Sequence, residues 1–304
     1  MRLKKLAAIS LSVLCVAGML TGCGGGNSNS SSGASSSGSS SAGEAKPISI
    51  VSREDGSGTR GAFIELFGVQ EKDADGNKVD NTSVDANIVK STEVMMTTVA
   101  NDDFAIGYTS LGALNDTVKA LKVDGVEATA ENIKAGTYKI SRPFNIATKG
   151  KVSDVADDFM KYIMSSVGQQ VIEDNGYIKV DDAAAAFKSS GAEGTVVVAG
   201  SSSVTPVMEK LAESYEIVNT KAKIDIQESD STTGMTSVAE GTCDIGMASR
   251  ELEDSEKDAG LTPVAIALDG IAVIVNKNNT LDDIKPDMVK SIYVGEVTDW
   301  NDVK

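Results

Sequence analysis

The chain has 304 residues, a formal net charge of −16 and no histidine. The lack of histidine excludes Ser-His catalysis and histidine-based zinc sites, and it removes the commonest general base. Such an acidic surface repels nucleic acid and does not steer anions inward by its overall field, so any anion site must be built from local donors.

The N-terminal residues have the order of an export signal. Three basic residues precede an apolar run over 6–20 that is too short to span a bilayer, and Leu20-Thr21-Gly22 then leads to Cys23. An ordinary secretory signal with a chance cysteine is the alternative. The segment resembles the lipobox of bacterial lipoproteins, which implies a signal peptide over 1–22, a lipid such as palmitate on Cys23, and anchoring at the extracytoplasmic face of the bacterial cell membrane.

Residues 23–45 are rich in Ser and Gly, a composition that is typical of a flexible tether. Cys15 leaves with the predicted signal, so Cys243 is the one remaining cysteine besides the anchor, and a lone thiol forms no internal disulfide. Its apolar neighbours favour a small buried side chain over a reactive thiol.

Apolar runs with period two alternate with helical patterns along the rest of the chain. The predicted strands are 48–51, 104–108, 195–199, 224–226 and one or two within 262–275. The predicted helices are 59–67, 152–164 and 204–215. This alternation predicts an α/β fold with largely parallel sheets. The Ala/Ser/Gly-rich stretch 181–194 is interpreted as a linker between two patterned halves, with a short surface helix plus loop as the alternative.

The sharpest motif is SREDGSGTR over 52–60, which lies between a predicted strand and a predicted helix. The first backbone N–H groups of a helix have no partner within the helix and point outward. Gly56 and Gly58 let the backbone wrap closely, so that several N–H groups converge on an anion. Ser57 and Thr59 add hydroxyl donors, and the motif therefore predicts an anion site.

Arg53 of the same motif has a planar guanidinium that suits two oxygens of one anion. We predict that Asp55 pairs with Arg53 and holds it in place. The alternative is that Ser57 merely caps the helix while Arg53 and Arg60 are solvated surface charges.

The glycines also allow a dinucleotide interpretation, because Gly56, Gly58 and Gly61 fit the pattern G-x-G-x-x-G. Two further strand-to-helix junctions, GSSSVTP at 200–206 and DSTTG at 230–234, offer hydroxyls and free N–H groups. Three such junctions predict a converging cage for one small anion, whereas a dinucleotide fold needs only one. We therefore favour the cage.

In these three loops and the segments around them, the chain resembles the phosphate-binding proteins of ABC phosphate importers over residues 46–304. The segments that carry the resemblance are SREDGSGTR, GSSSVTPVMEKLAESY, DSTTGM, CDIGMASREL and IYVGEVTDW. The resemblance implies a two-lobe, periplasmic-binding-protein-like (type II) α/β fold whose hinge crossover strands let it close on its ligand. It implies that lobe one is 143–268 and that lobe two is discontinuous, made of 46–142 with 269–304.

The order of the segments is unusual for that family. The GSSSVTP-like segment normally comes first and the SREDGSGTR-like segment near the middle, and the tail at 299–303 resembles a stretch that normally runs directly into a strand like 48–52. We interpret the chain as circularly permuted, with 181–194 as the join between the old termini. A fragment of a tandem array is the alternative.

The resemblance also implies a set of ligand-binding residues. Arginine, hydroxyl and backbone donors of the family match Arg53, Ser57, Gly58, Thr59, Ser203, Val204 and Ser231, where Val204 offers only its backbone N–H. Asp55 matches the acid that supports the arginine. Many members carry an aspartate where this chain has Ser249.

That aspartate accepts the proton of monohydrogen phosphate and so rejects sulfate, which has no proton to give at neutral pH. Ser249 accepts a hydrogen bond but repels sulfate far less than a carboxylate does, and Asp230 is an alternative acceptor. The choice between phosphate and another tetrahedral oxyanion stays open at the level of single residues.

We predict a monomeric, non-enzymatic protein that binds inorganic phosphate and delivers it to the permease of an ABC importer, with no metal, cofactor or nucleic acid partner. The rivals are a binder of another oxyanion such as sulfate, a dinucleotide-binding enzyme, and a surface sensor that kept the fold but lost its ligand. The sequence has no visible metal cluster or activated nucleophile, which argues against the enzyme, and intact Arg53 with Ser-Gly-Thr argues against the sensor.

Overall fold

The computed structural model describes residues 44–304, so the predicted signal peptide, Cys23 and nearly all of the predicted tether lie outside the described residues. The strands of the described part are β1 (Ser49–Arg53), β2 (Gln70–Lys72), β3 (Lys78–Asp80), β4 (Asn87–Val89), β5 (Ala105–Ser110), β6 (Lys119–Ala120), β7 (Lys122–Val123), β8 (Ser141–Lys149), β9 (Ile178–Lys179), β10 (Gly194–Ser201), β11 (Ala222–Ser229), β12 (Ile245–Ala248), β13 (Leu261–Val275) and β14 (Asp283–Ile284). Its α-helices are α1 (Gly58–Leu66), α2 (Thr92–Ala100), α3 (Ala130–Lys134), α4 (Asp154–Ile163), α5 (Ser166–Asp174), α6 (Thr205–Val218), α7 (Ser231–Glu240), α8 (Asp254–Asp258) and α9 (Pro286–Tyr293).

The large sheet has the strand order β11-β10-β12-β8-β13-β5-β1-β4. Both flanks are parallel, because β10 pairs with β11 and β12 on one side and β1 pairs with β4 and β5 on the other. The centre is antiparallel, since β8 pairs with β12 and β13, and β13 with β5. The predicted α/β class is confirmed, whereas the expectation of largely parallel pairing is correct for the flanks and wrong for the centre.

Two large hydrophobic cores divide the molecule. One is built from residues between Ile50 and Ile140 together with Ile178 and apolar residues from 271–293, and we call the structure around it lobe two. The other is built from apolar residues between Phe144 and Ala267, and we call the structure around it lobe one. The predicted two-lobe fold is confirmed, and the exact boundaries predicted for the lobes stay predictions.

Strands β8 and β13 carry the chain between the lobes in opposite directions, which is why they pair antiparallel. β13 is a single strand of 15 residues, so the region predicted to hold one or two strands holds one. Arg142 on β8 lies opposite Asp269 on β13 in the register, and Arg142 Nη2 lies 3.1 Å from Asp269 Oδ2. This buried ion pair marks the crossover between the lobes.

The beginning and the end of the described chain run side by side. The Ile48 N–H donates to the Thr298 carbonyl at 2.9 Å, and the Trp300 N–H donates to the Lys46 carbonyl at 2.9 Å. The Lys46 N–H also donates to a carboxylate oxygen of Asp299 at 3.0 Å. Neighbouring ends are the geometry that circular permutation requires. They support the permuted order, which stays a prediction.

The stretch 181–194, interpreted as a linker, is irregular up to the start of β10 at Gly194 and packs against lobe one. Ser189 Oγ and the Ser190 N–H donate to the Asp158 carboxylate at 3.0 and 2.8 Å. The ring of Phe187 packs edge-on against Tyr162, with ring centroids 5.1 Å apart. The segment therefore forms a fixed connection over the surface rather than the short helix of the alternative interpretation.

Cys243 lies just before β12 and is half-buried beside a small third cluster of apolar residues. Burial raises the pKa of its thiol to about 11, so the thiol is protonated at neutral pH. Among residues 44–304, no helix has the length and apolar character needed to cross a bilayer.

Candidate functional site: a hydroxyl cage between the lobes

Four strand-to-helix junctions meet where the two lobes face each other. In lobe two β1 leads to α1 and β4 leads to α2, and in lobe one β10 leads to α6 and β11 leads to α7. Because parallel strands present their carboxyl ends at the same edge of a sheet, the two junctions of each lobe lie side by side. The structure thus brings together the three junctions predicted from the sequence and adds a fourth, at α2.

Side-chain hydroxyls from both lobes form one buried cluster, which we call the hydroxyl cage. Its members are Thr59, Thr92, Ser201, Ser202, Ser203, Ser231 and Ser249, all of them buried. Thr59 Oγ1 lies 2.8 Å from Ser203 Oγ and 3.4 Å from Ser249 Oγ. Ser231 Oγ accepts a hydrogen bond from the Ser249 N–H at 3.1 Å. Four of the residues predicted to bind ligand, Thr59, Ser203, Ser231 and Ser249, therefore lie together.

Arg53 is the one cation that hydrogen-bonds to the hydroxyl cage among the described residues, and only 2 % of its surface is exposed. Its Nη2 donates to Ser202 Oγ at 3.0 Å and its Nη1 to Thr92 Oγ1 at 3.3 Å. The guanidinium also forms a two-point fork with Glu54, with Nε–Oε2 and Nη2–Oε1 distances of 2.8 Å each. Such a bidentate pair fixes the plane of the guanidinium and hence the direction of its donors.

The predicted pairing of Asp55 with Arg53 is wrong. Asp55 lies in the turn that the Ser57 N–H closes by donating to the Glu54 carbonyl at 3.0 Å, and its side chain is 98 % exposed. Its carboxylate pairs instead with Arg60 Nη1 at 2.9 Å. The neighbouring Glu54 points inward from the same loop and takes the role that the sequence assigned to Asp55.

Two other predicted ligand residues serve the backbone of their own loops. Ser57 Oγ accepts from the Arg60 N–H at 3.3 Å and caps α1, as the alternative interpretation of the motif stated. The Val204 N–H donates to the Ser201 carbonyl at 2.9 Å within the turn, and the ligand contact predicted for it stays a prediction. The capping bond uses Ser57 Oγ as an acceptor and leaves its hydrogen available to donate, so the ligand role predicted for Ser57 stays a prediction.

Gly58 is required by the close approach of the lobes. A Cβ atom at this position would lie 2.4 Å from Ser231 Oγ and 2.8 Å from Ser249 Oγ, distances that real Cβ atoms do not show. At Gly56 a Cβ would lie 2.2 Å from Asp230 Oδ1. The space before these glycines, which a dinucleotide pyrophosphate needs, is filled by the opposite lobe. The geometry therefore argues against the dinucleotide interpretation.

The surroundings of Ser249 show how the cage is closed on the side of lobe one. Ser249 Oγ accepts from Ser201 Oγ at 3.0 Å, and the next residue, Arg250, forms a two-point pair with Glu256 at 2.8 and 2.7 Å. The carboxylate of Asp230 caps α7, accepting from the Thr233 N–H at 2.8 Å and from its hydroxyl at 2.6 Å. Asp230 is thus occupied by its own helix rather than aimed into the cage.

The sequence interpretation missed Glu54, Thr92, Ser201 and Ser202. Ser201 and Ser202 belong to the GSSSVTP segment, and the run of three serines in that segment was a signal that could have identified them. Lys90-Ser91-Thr92 follows β4 and precedes α2, which repeats the strand–hydroxyl–helix pattern of the other loops. The three-residue strand before it is too short to be recognised from periodicity alone.

Comparison with known protein families places the fold in a class. The family model described as "PBP superfamily domain" matches residues 29–167 and 185–304. A crystal structure of a phosphate ABC transporter, phosphate-binding protein from Streptococcus pneumoniae TIGR4 aligns with a TM-score of 0.67 and 44 % identity, covering 85 % of this chain and 100 % of that chain.

Curated relatives agree with this class. Phosphate-binding protein PstS 2 of Streptococcus agalactiae serotype V is 52 % identical over 301 residues, which are 99 % of this chain and 98 % of that protein. Phosphate-binding protein PstS 2 of Streptococcus pneumoniae serotype 4 is 44 % identical over 257 residues, 84 % of this chain and 88 % of that protein. The chain therefore belongs to the PBP superfamily and, within it, to the family that contains these streptococcal proteins. Because the alignments run through most of both chains, the segment order of this chain is shared by these relatives.

Proposed function

We propose that this protein binds inorganic phosphate between its two lobes on the extracytoplasmic side of the membrane and delivers it to the permease of an ABC importer, without catalysing a reaction. The observation that carries the proposal is the hydroxyl cage, in which buried hydroxyls of both lobes converge with the Arg53 guanidinium. The names of the streptococcal relatives support phosphate as the ligand.

The chemistry of the cage suits a small anion with four oxygens. Each hydroxyl has one hydrogen to donate, and the N-termini of α1, α2, α6 and α7 add the positive ends of their helix dipoles. Arg53 contributes donors in a fixed plane, although its charge is balanced by Glu54. In a closed, dry site such oriented donors bind an anion tightly without a counter-cation. We propose Arg53, Ser57, Gly58, Thr59, Ser203, Val204, Ser231 and Ser249 as the site.

Sulfate is a second candidate, and the observation in its favour is Ser249. Glu54 and Asp230, two carboxylates of the loops that form the cage, are engaged by Arg53 and by the start of α7. A proton on the ligand would therefore be accepted by a hydroxyl such as that of Ser249. A hydroxyl turns its hydrogen either way, so it penalises an unprotonated sulfate far less than a carboxylate does.

The proposal has two further parts, the lipid anchor and the monomeric state. Lipidation of Cys23, and with it anchoring at the membrane, rests on the sequence LTGC that follows the apolar run. The monomeric state rests on the two-lobe fold having a complete cage within one chain.

The proposal is tested by calorimetric titration of the purified protein with phosphate, sulfate and NAD. We expect binding of phosphate, weaker or no binding of sulfate, and none of NAD. Replacing the buried arginine, Arg53→Met, should weaken phosphate binding by about 100-fold or more, because the charged donor facing the anion is lost. Lys161→Met removes an exposed cation of α4 and serves as the control. Absence of phosphate binding by the wild-type protein would reject the proposal.

A further inference from the structure

The backbone at Ser91, just before α2, is held in an unusual conformation. Its φ is 70° and its ψ is 158°, a region that is populated almost only by glycine. Gly58 and Gly200 show that the loops around the cage use glycine where contacts or dihedral angles demand it. A serine persists in such a conformation only when its surroundings determine the path of the chain. The constrained backbone of Ser91 fixes the position of the next residue, Thr92.

Thr92 lies at the centre of the hydroxyl cage although it comes from a fourth, separate loop. Its Oγ1 lies 3.0 Å from Ser203 Oγ, 3.2 Å from Ser202 Oγ and 3.3 Å from Arg53 Nη1. Its backbone N–H donates to Ser202 Oγ at 3.2 Å. Two of these partners, Arg53 and Ser203, are proposed ligand residues from opposite lobes.

The position of the loop before α2 follows from the pairing of β4 in the large sheet. β4 is the parallel neighbour of β1, with Val89 in register with Arg53, and the Glu54 N–H donates to the Val89 carbonyl at 3.3 Å. The loop before α2 therefore runs directly beside the SREDGSGTR loop. Both loops approach lobe one from the same edge, and only 4 % of the Thr92 surface is exposed.

We propose that Thr92 is a ligand-contacting residue that forms a fourth wall of the hydroxyl cage, held there by the constrained backbone of Ser91. The inference rests on the proposed function. A hydroxyl has one hydrogen, and an anion oxygen is a stronger acceptor than a serine oxygen. In the bound state the Thr92 hydrogen is donated to the anion, while its oxygen keeps accepting from Arg53.

The test is calorimetric titration of three variants with phosphate. Thr92→Val removes the hydroxyl at nearly constant shape, and we expect about 10- to 100-fold weaker binding, as for a lost hydrogen bond to a charged group. Thr92→Ser keeps the hydroxyl and should bind within about threefold of the wild type. Thr98→Val is the matched control, because Thr98 lies on the exposed side of the same helix and its hydroxyl donates to the Val94 carbonyl at 2.7 Å.

The outcomes separate this inference from the proposed function. If the wild type binds phosphate while Thr92→Val binds as well as Thr98→Val, the fourth wall is refuted and the proposed function stands. If the wild type does not bind phosphate, both are refuted. A crystal structure with phosphate bound decides the matter where Thr92→Val fails to fold. The inference requires Thr92 Oγ1 within hydrogen-bond distance of a phosphate oxygen, and an Oγ1 that contacts only serines overturns it.

Discussion

Arg53 in the hydroxyl cage and Arg142 at the crossover are both buried beside a carboxylate, yet the two arginines are held differently. All three guanidinium nitrogens of Arg53 donate to an acceptor, to Glu54, Ser202 or Thr92. Arg142 makes one contact with Asp269 through Nη2, and its Nε and Nη1 have no hydrogen-bond partner within residues 44–304.

Burial is the largest influence on the pKa values of both members of the crossover pair. Burial raises the pKa of Asp269 to about 6 in spite of the Arg142 charge, and burial lowers the pKa of Arg142 to about 10. The acceptors of Arg53 at Thr92 and Ser202 belong to different lobes, whereas Arg142 and Asp269 lie on two strands that pair along their length. The cage network thus depends on closure of the lobes, and the crossover pair is permanent.

The largest expected effect is on folding, at the crossover. Asp269→Leu leaves the Arg142 charge buried without a partner, and we expect the free energy of unfolding to fall by about 3–5 kcal/mol. The double variant Arg142→Met with Asp269→Leu removes both charges and should regain most of this loss. Urea denaturation measures both. A double variant as unstable as the single one would contradict this view of the pair.

At the cage, the sharpest test of closure is Gly58→Ala. The added Cβ would meet Ser231 Oγ and Ser249 Oγ, so the lobes cannot approach fully, and we expect phosphate affinity to fall by about 1–3 kcal/mol. Gly61→Ala on the same helix is the control, because its Cβ would lie at an ordinary 3.9 Å from Arg250. Calorimetry compares the two, and equal affinities would show that closure does not depend on Gly58.

A smaller effect distinguishes the two acids beside Arg53. Glu54→Gln breaks the charged fork and lets the guanidinium turn, so we expect about tenfold weaker phosphate binding, equal to about 1.4 kcal/mol. Asp55→Asn alters an exposed residue of the same loop and should change affinity by less than about twofold. The opposite ranking in a calorimetric comparison would restore the role that the sequence assigned to Asp55.

The smallest expected effect is on the pH dependence of stability. The Asp269 pKa is about 6 in the folded chain against an ordinary value of 3.8, so between these values the folded chain binds more protons than the unfolded chain. The contribution of Asp269 to stability therefore falls as pH rises, by about 1 kcal/mol between pH 5 and pH 7. The free energy of unfolding is measured by urea denaturation at each pH for the wild type and for Asp269→Asn, and the difference between the two profiles isolates this slope. A difference that is flat, or that rises with pH, would contradict it.

Several parts of the protein follow from the sequence because they are local. Period-two runs identify β1, β5, β10 and β11 within a few residues of their observed bounds, since alternation records which side chains are buried. The start of α1 follows from Ser57 and Gly58, because capping chemistry is contained in a few neighbouring residues.

Other features needed the tertiary structure. Sequence spacing does not say which of two adjacent acids turns inward, and the turn closed by the Ser57 N–H sends Asp55 outward and leaves Glu54 beside Arg53. The antiparallel centre of the sheet arises from long-range pairing of β8 with β13.

The sequence by itself determined the α/β class and three of the four loops that supply the hydroxyl cage, because strand periodicity and helix capping are local properties. Only the tertiary structure decided that Thr92 joins them and that Arg142 faces Asp269. Those contacts link residues more than 100 positions apart, and they form only when two lobes made of interleaved chain segments pack together.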